Sequence, residues 1–272
     1  MEELKTDVEK KFKKILESSY VNPMENVKYP PIALAKGYTR AFNALPIPLC
    51  TYGNFSFVQA PPKSKKTFFL TLMAATYLNG NAGRKNEYFG EVMGFRGTKS
   101  LIHYDTEQSR FHSQKVFRRV MDMAGSCDSY FSYALREYDP VERLEFIDWH
   151  LNTQPNIGFV VIDGIADLLY DVNDLKESSK LVQHLMTWTQ DLGIHIICAI
   201  HSNFGSEKPT GHLGSFLEKK TETQISLEPL EDNVVLVKCK RTRNFSFDDF
   251  AFQVGKDGLP RILDEIPEQI IF

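Results

Sequence analysis

Residues 55–78 place a strand, a short loop and a helix in immediate succession. Phe55–Gln59 has the pattern of a short buried strand, and the apolar run Phe68–Leu78 has that of a buried helix. The two are joined by Ala60-Pro-Pro-Lys-Ser-Lys-Lys-Thr67. A strand that passes through a tight loop into a helix is the usual unit of a parallel sheet with crossover helices, so this segment favours an α/β fold.

The loop shares the last two positions of the phosphate-binding pattern G-x-x-x-x-G-K-[ST]. Lys66 and Thr67 match it, whereas Ala60 and Lys65 stand where the pattern has glycine. In such loops backbone N–H groups surround the phosphates, the lysine reaches the β- and γ-oxygens and the hydroxyl binds Mg²⁺. The residues predicted to contact ATP are Ala60, Pro61, Pro62, Lys63, Ser64, Lys65, Lys66, Thr67 and Phe68, and Thr67 is also a predicted Mg²⁺ ligand. The alternative is a solvated, lysine-rich surface turn.

Composition limits the class of protein. The 272 residues are 42% hydrophobic and 25% charged, enough for one large soluble core. The formal net charge of −3 argues against a uniformly basic nucleic-acid binder but leaves room for a local basic patch. The cysteines are widely spaced, without a C-x-x-C pair, as in reduced cytosolic proteins. With a charged N-terminus and no long apolar run, the sequence predicts a cytoplasmic protein without a membrane span.

The chain divides into an N-terminal arm and one larger domain. Residues 1–50 are predicted to form a helical arm and linker, with an amphipathic helix over Glu2–Ser18 and a proline-rich stretch after it. The arm packs either on a neighbouring subunit or on its own domain. Residues 51–272 alternate strands and helices, which predicts a mostly parallel central sheet flanked by helices. The predicted strands are Phe55–Gln59, Ser100–Tyr104, Phe131–Tyr133, Gly158–Ile162, His195–Ile200, Glu222–Glu228, Val234–Lys240 and Phe250–Val254. The last three are expected to be antiparallel additions at the C-terminal edge.

A second motif ends in a carboxylate. Ile157–Asp163 is an apolar strand that finishes with an acid, as a Walker B strand does. This position would put Asp163 beside the Mg²⁺ at the carboxyl edge of the sheet. The alternative is an aspartate that only caps the next helix.

A third motif lies between the other two in the chain. Tyr104-Asp-Thr-Glu107 follows a predicted strand and resembles the corresponding segment of RecA-like recombinases and hexameric helicases. By that resemblance Glu107 is the catalytic base, which polarises the water that attacks the γ-phosphate. The alternative is an exposed acid pair that caps a helix over Gln108–Ala124.

The same resemblance assigns roles to the segment after Asp163. A helix over about Leu175–Gln190 leads to an apolar strand that ends at His201. In RecA-like and RepA-like ATPases a polar residue at this place senses the γ-phosphate, which implies His201 or, as second choice, Asn203. The following loop, residues 204–215, faces the central nucleic acid in ring-forming and filamentous members. The residues of this loop implied to contact DNA are Lys208, His212 and Ser215. An ordinary mobile loop is the alternative.

The densest basic cluster is Lys238–Asn244. It resembles the K-x-R-N element of replicative helicases, in which basic residues reach the ATP site of the neighbouring subunit. Arg243 then corresponds to an arginine finger in trans, and Arg241 to the preceding lysine. The resemblance therefore implies a homo-oligomer, possibly a hexamer. A solvated cationic strand end is the alternative.

The resemblance covers roughly Gly53–Gly255 and is closest to RepA/DnaB-type ATPases of plasmids and mobile elements. It implies a RecA-like P-loop NTPase that uses ATP and Mg²⁺ and acts on DNA, preferably single-stranded, in replication or mobilisation of a genetic element. Two alternatives stay open. One is a nucleotide-binding or assembly module that has lost hydrolysis with its loop glycines. The other, a small-molecule kinase, is disfavoured because nothing resembles a lid.

Overall fold

The computed structural model describes residues 2–40, 42–80, 86–125, 128–203 and 208–267, without the side chains of residues 2–8. The chain forms two compact units, Met1–Pro30 and Pro31–Phe272. In the first unit helix α1 (Glu2–Ser19) is one residue longer than the predicted helix. The residues after it have no helix or strand, and the described side chains of this unit, such as Phe12 and Leu16, are exposed.

The second unit contains twelve strands and five further helices among its described residues. Its strands are β1 (Ile32–Tyr38), β2 (Pro46–Thr51), β3 (Phe55–Ala60), β4 (Val92–Gly94), β5 (Ser100–Asp105), β6 (Tyr130–Ala134), β7 (Ile157–Asp163), β8 (His195–His201), β9 (Thr223–Pro229), β10 (Val234–Thr242), β11 (Phe250–Val254) and β12 (Pro260–Ile262). Its helices are α2 (Lys66–Asn79), α3 (Arg110–Ala124), α4 (Pro140–Thr153), α5 (Leu175–Leu192) and α6 (Gly211–Lys220).

Two of these strands lie inside the stretch that the sequence analysis assigned to the arm. β1 and β2 pair antiparallel, and β4 adds to β1, in a small three-stranded sheet. Ala33, Leu34 and Ala35 of β1 are fully buried, so this sheet belongs to the core of the second unit. Pro46 and Pro48 argued against a strand at β2, because proline does not fit a central strand. β2 is an edge strand, where proline is tolerated.

The central sheet has nine strands in the order β12-β11-β10-β9-β3-β8-β7-β5-β6. From β9 to β6 neighbouring strands are parallel, and β10, β11 and β12 add antiparallel. The expected α/β fold with a mostly parallel sheet is therefore present. In this order β8 lies between the strand that leads into the lysine-rich loop and the strand that ends at Asp163. The carboxyl ends of β3, β8, β7 and β5 consequently share one edge of the sheet.

The expectation that β9 is antiparallel was wrong. β9 pairs parallel with β3 because helix α6 supplies the crossover from β8. The first part of α6 was predicted to be loop because of Gly211 and Gly214. A helix forms there because it buries Leu213 and Leu217, while the absence of a side chain at Gly214 lets Pro209 pack against the helix backbone.

Helices cover both faces of the central sheet. Alternate strand residues point to opposite faces, so Val58 and Phe57 belong to different cores. On one face α2 and α3 contribute buried apolar side chains such as Leu70 and Val120. On the other face α4, α5 and α6 do so. The result is a three-layer arrangement in which the inner parallel strands are screened from water on both sides, whereas the edge strand β6 is partly exposed.

The described cysteines carry free thiols. Cys50 and Cys198 are buried and Cys239 is half-buried, and none of these described cysteines forms a disulfide. Cys127 lies outside the described residues. None of the described helices combines the length and the apolar character needed to cross a bilayer.

A buried carboxylate joins the start of β9 to the rest of the sheet. Glu222 accepts hydrogen bonds from both the backbone N–H (2.9 Å) and the hydroxyl of Thr51. It also accepts one from Asn244 Nδ2 at 2.8 Å, and its backbone oxygen accepts from the N–H of Arg243. Because Glu222 is only 4% exposed, these donors replace the water that an ionised carboxylate needs.

We expect Glu222→Ala to lower the free energy of unfolding by about 3 kcal/mol, because it leaves the buried donors of Thr51 without an acceptor. Urea denaturation monitored by circular dichroism measures the change. Glu231→Ala is the matched control, since Glu231 is exposed, and its effect should stay within about 0.5 kcal/mol. Equal effects for the two variants would contradict a structural role for this network.

Candidate functional site

The lysine-rich loop begins at the carboxyl end of β3, where Ala60 is buried, and runs through exposed Pro61 and Pro62. Two of its residues adopt left-handed backbone conformations, Lys63 with φ 63° and Lys65 with φ 61°. Such conformations are strained for a residue with a Cβ, and they tend to occur at ligand sites. Left-handed residues in such loops can turn neighbouring N–H groups towards an anion, although the N–H of Ser64 bonds the carbonyl of Pro61 at 3.3 Å.

The same loop ends at the N-terminus of α2. Lys65 is the N-cap residue and provides no side-chain hydrogen bond, so the first N–H groups of α2 stay available. The hydroxyl of Ser64 is buried without a hydrogen-bond partner among the described residues. Free backbone donors, an uncapped helix N-terminus and a spare hydroxyl together form a site that a phosphate group would satisfy.

Lys66 points into this edge of the sheet and is only 7% exposed. Its Nζ lies 2.8 Å from Nδ1 of His201, the last residue of β8. Burial lowers the pKa of Lys66, and the carboxylates of Glu107 and Asp163 oppose that change. Burial also lowers the pKa of His201, and the charge of Lys66 adds to the effect. The lowered pKa of His201 keeps its imidazole neutral, so Nδ1 can accept a hydrogen bond from the Lys66 ammonium.

Asp163 ends β7 beside the first turn of α2. Thr67 hydrogen-bonds its carboxylate, and burial, followed by the charge of Glu107, raises its pKa to about 7. Its Oδ2 has no hydrogen-bond partner among the described residues although it is buried. An unpartnered buried carboxylate oxygen next to a threonine hydroxyl is a costly arrangement unless a cation or water completes it.

Glu107 follows β5 and faces the same space. Its Oε1 lies 3.8 Å from Nε2 of His201, so Lys66, His201 and Glu107 form a continuous row. Burial raises the pKa of Glu107, Asp167 raises it further and Lys66 opposes the rise. A carboxylate with a raised pKa is a stronger base than an ordinary glutamate.

Sequence reasoning missed three residues that support this arrangement. Asp105 is fully buried, and its Oδ1 accepts the N–H groups of Glu107 and Gln108. The alternative of an exposed acid pair therefore fails for Asp105, which shapes the turn that presents Glu107. Thr106 donates its hydroxyl hydrogen within reach of the carbonyls of Asp163 (2.9 Å) and Gly164 (2.8 Å).

The third missed residue, Asp167, lies in a 3-10 turn, Ile165–Leu168, directly after Gly164. Its Oδ2 is 3.0 Å from the Thr106 hydroxyl. Gly164 has φ 101°, and a Cβ there would come within 2.4 Å of Thr106 Oγ1. An acid a few residues after a strand-ending aspartate was visible in the sequence, but only the fold shows that it turns back towards β5.

Phe68 follows Thr67 on α2 and packs against an arginine from α3. The guanidinium of Arg119 lies 3.8 Å from the centre of the Phe68 ring, and its Nε donates to the carbonyl of Gly258. Burial lowers the pKa of Arg119, and the charge of Asp163 opposes that change. Arg119 therefore adds a partly buried cation beside the first turn of α2, which sequence patterns did not reveal.

The described residues fit one way of holding Mg²⁺ and not another. They contain no group of three or more His, Cys, Asp or Glu side chains that could hold a metal by themselves. A hard ion such as Mg²⁺ usually keeps several waters and uses one or two protein oxygens together with substrate phosphates. The Thr67 hydroxyl and the unpartnered Oδ2 of Asp163 match that smaller requirement.

Arg241 and Arg243 do not join this site. β10 runs antiparallel to β9, so its C-terminal end lies at the amino ends of the parallel strands, opposite the loop. Both arginines are exposed, and Arg243 Nη2 donates to the carbonyl of Lys220 at 3.1 Å. Within one chain neither guanidinium is near Lys66.

Of the residues predicted to contact DNA, two are on a helix instead of a loop. His212 and Ser215 lie in α6, exposed and three positions apart on one face, and Ser215 Oγ bonds the carbonyl of Gly211. The carbonyl of Lys208 accepts from the N–H of Asn203, which follows β8. Residues 204–207 of the predicted loop lie outside the described residues.

Comparison with known proteins gives no family for this chain. No protein-family model matches the sequence, and no curated protein matches it. The fold brings together five predicted site residues from separate strands and loops. These residues are Lys66, Thr67, Glu107, Asp163 and His201.

The backbone at Lys65 leads to the first prediction for the site. Glycine at this position should make the protein about 1 kcal/mol more stable than alanine, because both remove the charge but only glycine adopts φ 61° without strain. Chemical denaturation of Lys65→Gly and Lys65→Ala measures the difference. At exposed Lys176 in α5 the order should reverse, since alanine favours a helix. The same order at both positions would contradict the left-handed conformation.

The raised pKa of Asp163 makes the stability of the protein depend on pH. The group binds its proton more tightly when folded (pKa about 7) than when unfolded (~3.9), so the protein loses stability as the pH rises between these values. Asp163→Asn should therefore raise the free energy of unfolding at about pH 8 by up to about 4 kcal/mol, and the gain should vanish near pH 4. Denaturation at several pH values measures it. Exposed Asp191→Asn is the control, and a pH-independent difference for Asp163→Asn would exclude the shift.

Proposed function

We propose that this chain is a RecA-like P-loop ATPase, similar to the RepA/DnaB type, that couples ATP hydrolysis to movement on or remodelling of DNA. The observation that carries the proposal is the convergence of Lys66, Thr67, Asp163, Glu107 and His201 at one edge of a parallel sheet. In open α/β sheets ligands bind in the crevice outside the carboxyl ends of the strands. The chain connections leave β3 and β8 in opposite directions, which opens such a crevice beside the loop.

Each residue has a role that its surroundings support. The N–H groups of residues 65–67 and the ammonium of Lys66 bind the β- and γ-phosphates. The hydroxyl of Thr67 and the carboxylate of Asp163 hold Mg²⁺, which neutralises phosphate charge when it is bound. Glu107 accepts a proton from the attacking water, and its raised pKa suits that task.

His201 lies between the phosphate-binding lysine and the base. In the structure the Lys66 ammonium donates to its imidazole, and its other nitrogen faces Glu107. When Lys66 turns to a phosphate, His201 loses this donor and becomes available to the γ-phosphate. The chain leads from β8 to α6. A change of hydrogen-bond partner at His201 would therefore shift the position of Lys208, His212 and Ser215, the proposed DNA-contacting residues.

The place of Arg243 supports action between subunits. The exposed guanidinium lies at the opposite end of the strands from its own loop, so it can serve only the loop of a second copy. We therefore propose a homo-oligomer, possibly a hexameric ring, in which Arg243, with Arg241 beside it, stabilises charge in the neighbouring site. A role in replication or mobilisation of a genetic element rests on the sequence resemblance alone.

One observation favours a second candidate, a nucleotide-binding module without hydrolysis. Lys63 and Lys65 hold left-handed conformations that phosphate-binding loops usually reserve for glycine, and a Cβ at these positions approaches the bound phosphates more closely. The two candidates differ in one measurement. Turnover of ATP, with and without single-stranded DNA, is present in the motor and absent from the binding module, while both bind the nucleotide.

We expect Glu107→Gln to bind ATP like the parent protein and to lose turnover by at least about a hundredfold, because the amide keeps the shape but accepts no proton. Lys66→Ala should lose ATP binding itself, since it removes the cation that faces the phosphates. Calorimetry measures ATP binding, and phosphate release measures turnover. Glu137→Gln, an exposed acid outside the site, is the control. Parent-like turnover by Glu107→Gln would assign the base to another residue.

In the proposed homo-oligomer, subunits that carry different substitutions should complement one another when they are mixed. Arg243→Ala should bind ATP normally but hydrolyse it poorly, because the missing charge acts only on a neighbouring site. Mixed with inactive Lys66→Ala subunits, which keep their own Arg243, it should recover part of the activity through hybrid interfaces. Phosphate release by mixtures shown to co-assemble measures this recovery. Absence of recovery, or full activity of a strictly monomeric sample, would exclude Arg243 as a residue that acts in trans.

A further inference from the structure

A large cleft lies away from the lysine-rich loop, beside β6. Its volume is about 1210 Å³, and its walls are one face of α3 and the first half of α4. β6 forms the floor and is the last strand of the central sheet on this side. The cleft therefore exposes the edge of a sheet, a place where proteins normally protect their backbone groups.

The direction of the free backbone groups of β6 follows from its pairing with β5. The carbonyl of Ser129 and the N–H of Leu135 both bond to β5, at 2.8 and 2.7 Å. Residues of a strand alternate in the side to which they turn their N–H and C=O groups, so Tyr130, Ser132 and Ala134 turn theirs towards the cleft. No described residue bonds to them there. An extended segment laid along this edge would find a regular row of donors and acceptors.

The walls of the cleft indicate the chemistry of such a segment. Arg110, Arg118 and Arg143 line it against a single acid, Glu142, although the whole chain carries a net charge of −3. Apolar rings, among them Phe111 and Phe146, line the same cleft. The cleft therefore suits an extended segment that is both acidic and apolar.

The chain itself contains such a segment after β12. Residues 264–272 read Asp-Glu-Ile-Pro-Glu-Gln-Ile-Ile-Phe, with carboxylates, large apolar side chains and no basic residue. Residues 264–267 are described and exposed, and 268–272 lie outside the described residues. The Ile270-Ile271-Phe272 sequence consists of residues that favour strands.

The sheet order shows which copy of the chain can supply the segment. β12 and β6 are the two opposite edges of the nine-stranded sheet. Eight strand spacings amount to ~38 Å across the sheet. The ten residues from Leu263 to Phe272 span ~34 Å at most when fully extended, and they would also have to pass around the covering helices. The segment therefore reaches the cleft of another copy and not its own.

We propose that the cleft beside β6 binds residues 264–272 of a second copy of this chain, which add an extended strand to the edge of the central sheet. The carboxylates of the segment face the arginines of α3 and α4, and its apolar residues contact the rings that line the same cleft. This interface uses a different part of the molecule from the ATP site, so it stands whether or not the chain hydrolyses ATP.

Ser132→Pro is the sharpest variant for a test. Its N–H points into the cleft, so proline removes a donor for the incoming strand without removing a bond to β5. Arg118→Glu reverses a charge on the wall of the cleft. The matched controls are Ser132→Ala, which keeps the N–H, and Lys176→Glu, an equal charge change on exposed α5.

A fluorescein-labelled peptide of residues 264–272 is titrated with the full-length parent and each variant, and binding is followed by anisotropy. We expect saturable binding to the parent and to both controls, with affinity at least tenfold lower for Ser132→Pro, for Arg118→Glu and for a scrambled peptide. Circular dichroism checks that each variant is folded. Should Ser132→Pro not fold, Arg118→Glu and the scrambled peptide still decide the outcome.

Two results would overturn the proposal. One is equal binding of the authentic and scrambled peptides, or no saturable binding of either. The other is a labelled single-stranded oligonucleotide that loses affinity with Arg118→Glu while the peptide does not, since the cleft would then be a nucleic-acid site. Sedimentation gives an independent reading, because a chain that ends at Leu263 should self-associate at least tenfold more weakly than the full chain.

Discussion

The buried ammonium of Lys66 faces the carboxylates of Glu107 and Asp163, and the rest of the carboxyl edge depends on this balance of charge. A charge removed from water is tolerated only with partners close by. These partners come from β5 and β7, while the lysine comes from the helix that follows β3. The sheet order brings them within reach because β8 alone separates β3 from β7. His201, at the end of β8, fills the gap between the lysine and Glu107.

These charges are not fully compensated. One carboxylate oxygen each of Asp105 and Asp163 is buried without a hydrogen-bond partner among the described residues. Unsatisfied carboxylate oxygens reduce stability, and the raised pKa of Asp163 expresses the same cost in terms of protonation. A bound cation and a phosphate would remove that cost together. The free protein is therefore less stable than it would be with a cation and an anion bound at this edge.

Much of this could be predicted from the sequence, because strand-ending residues of a parallel sheet meet at one edge whatever the details. Asp163 was found in that way, whereas Glu107 and His201 were identified through the resemblance of their segments to RecA-like ATPases. The supporting roles of Asp105 and Thr106 were not, since they depend on a turn whose hydrogen bonds appear only in three dimensions. The local patterns also failed where tertiary packing overrides them. Glycines in α6 argued against a helix, but the helix forms because it buries leucines. Prolines in β2 argued against a strand, but β2 lies at the edge of its sheet, where proline is tolerated.

Gly164 has a consequence for how this edge can vary. The backbone there passes so close to Thr106 that even a methyl group would come within 2.4 Å of its hydroxyl oxygen. Any larger residue would force the ends of β5 and β7 apart and widen the gap between the two acids that follow them. The spacing of Glu107 and Asp163 is therefore a matter of one missing carbon atom. A designer who wished to tune the chemistry without touching a charged residue would begin at this position.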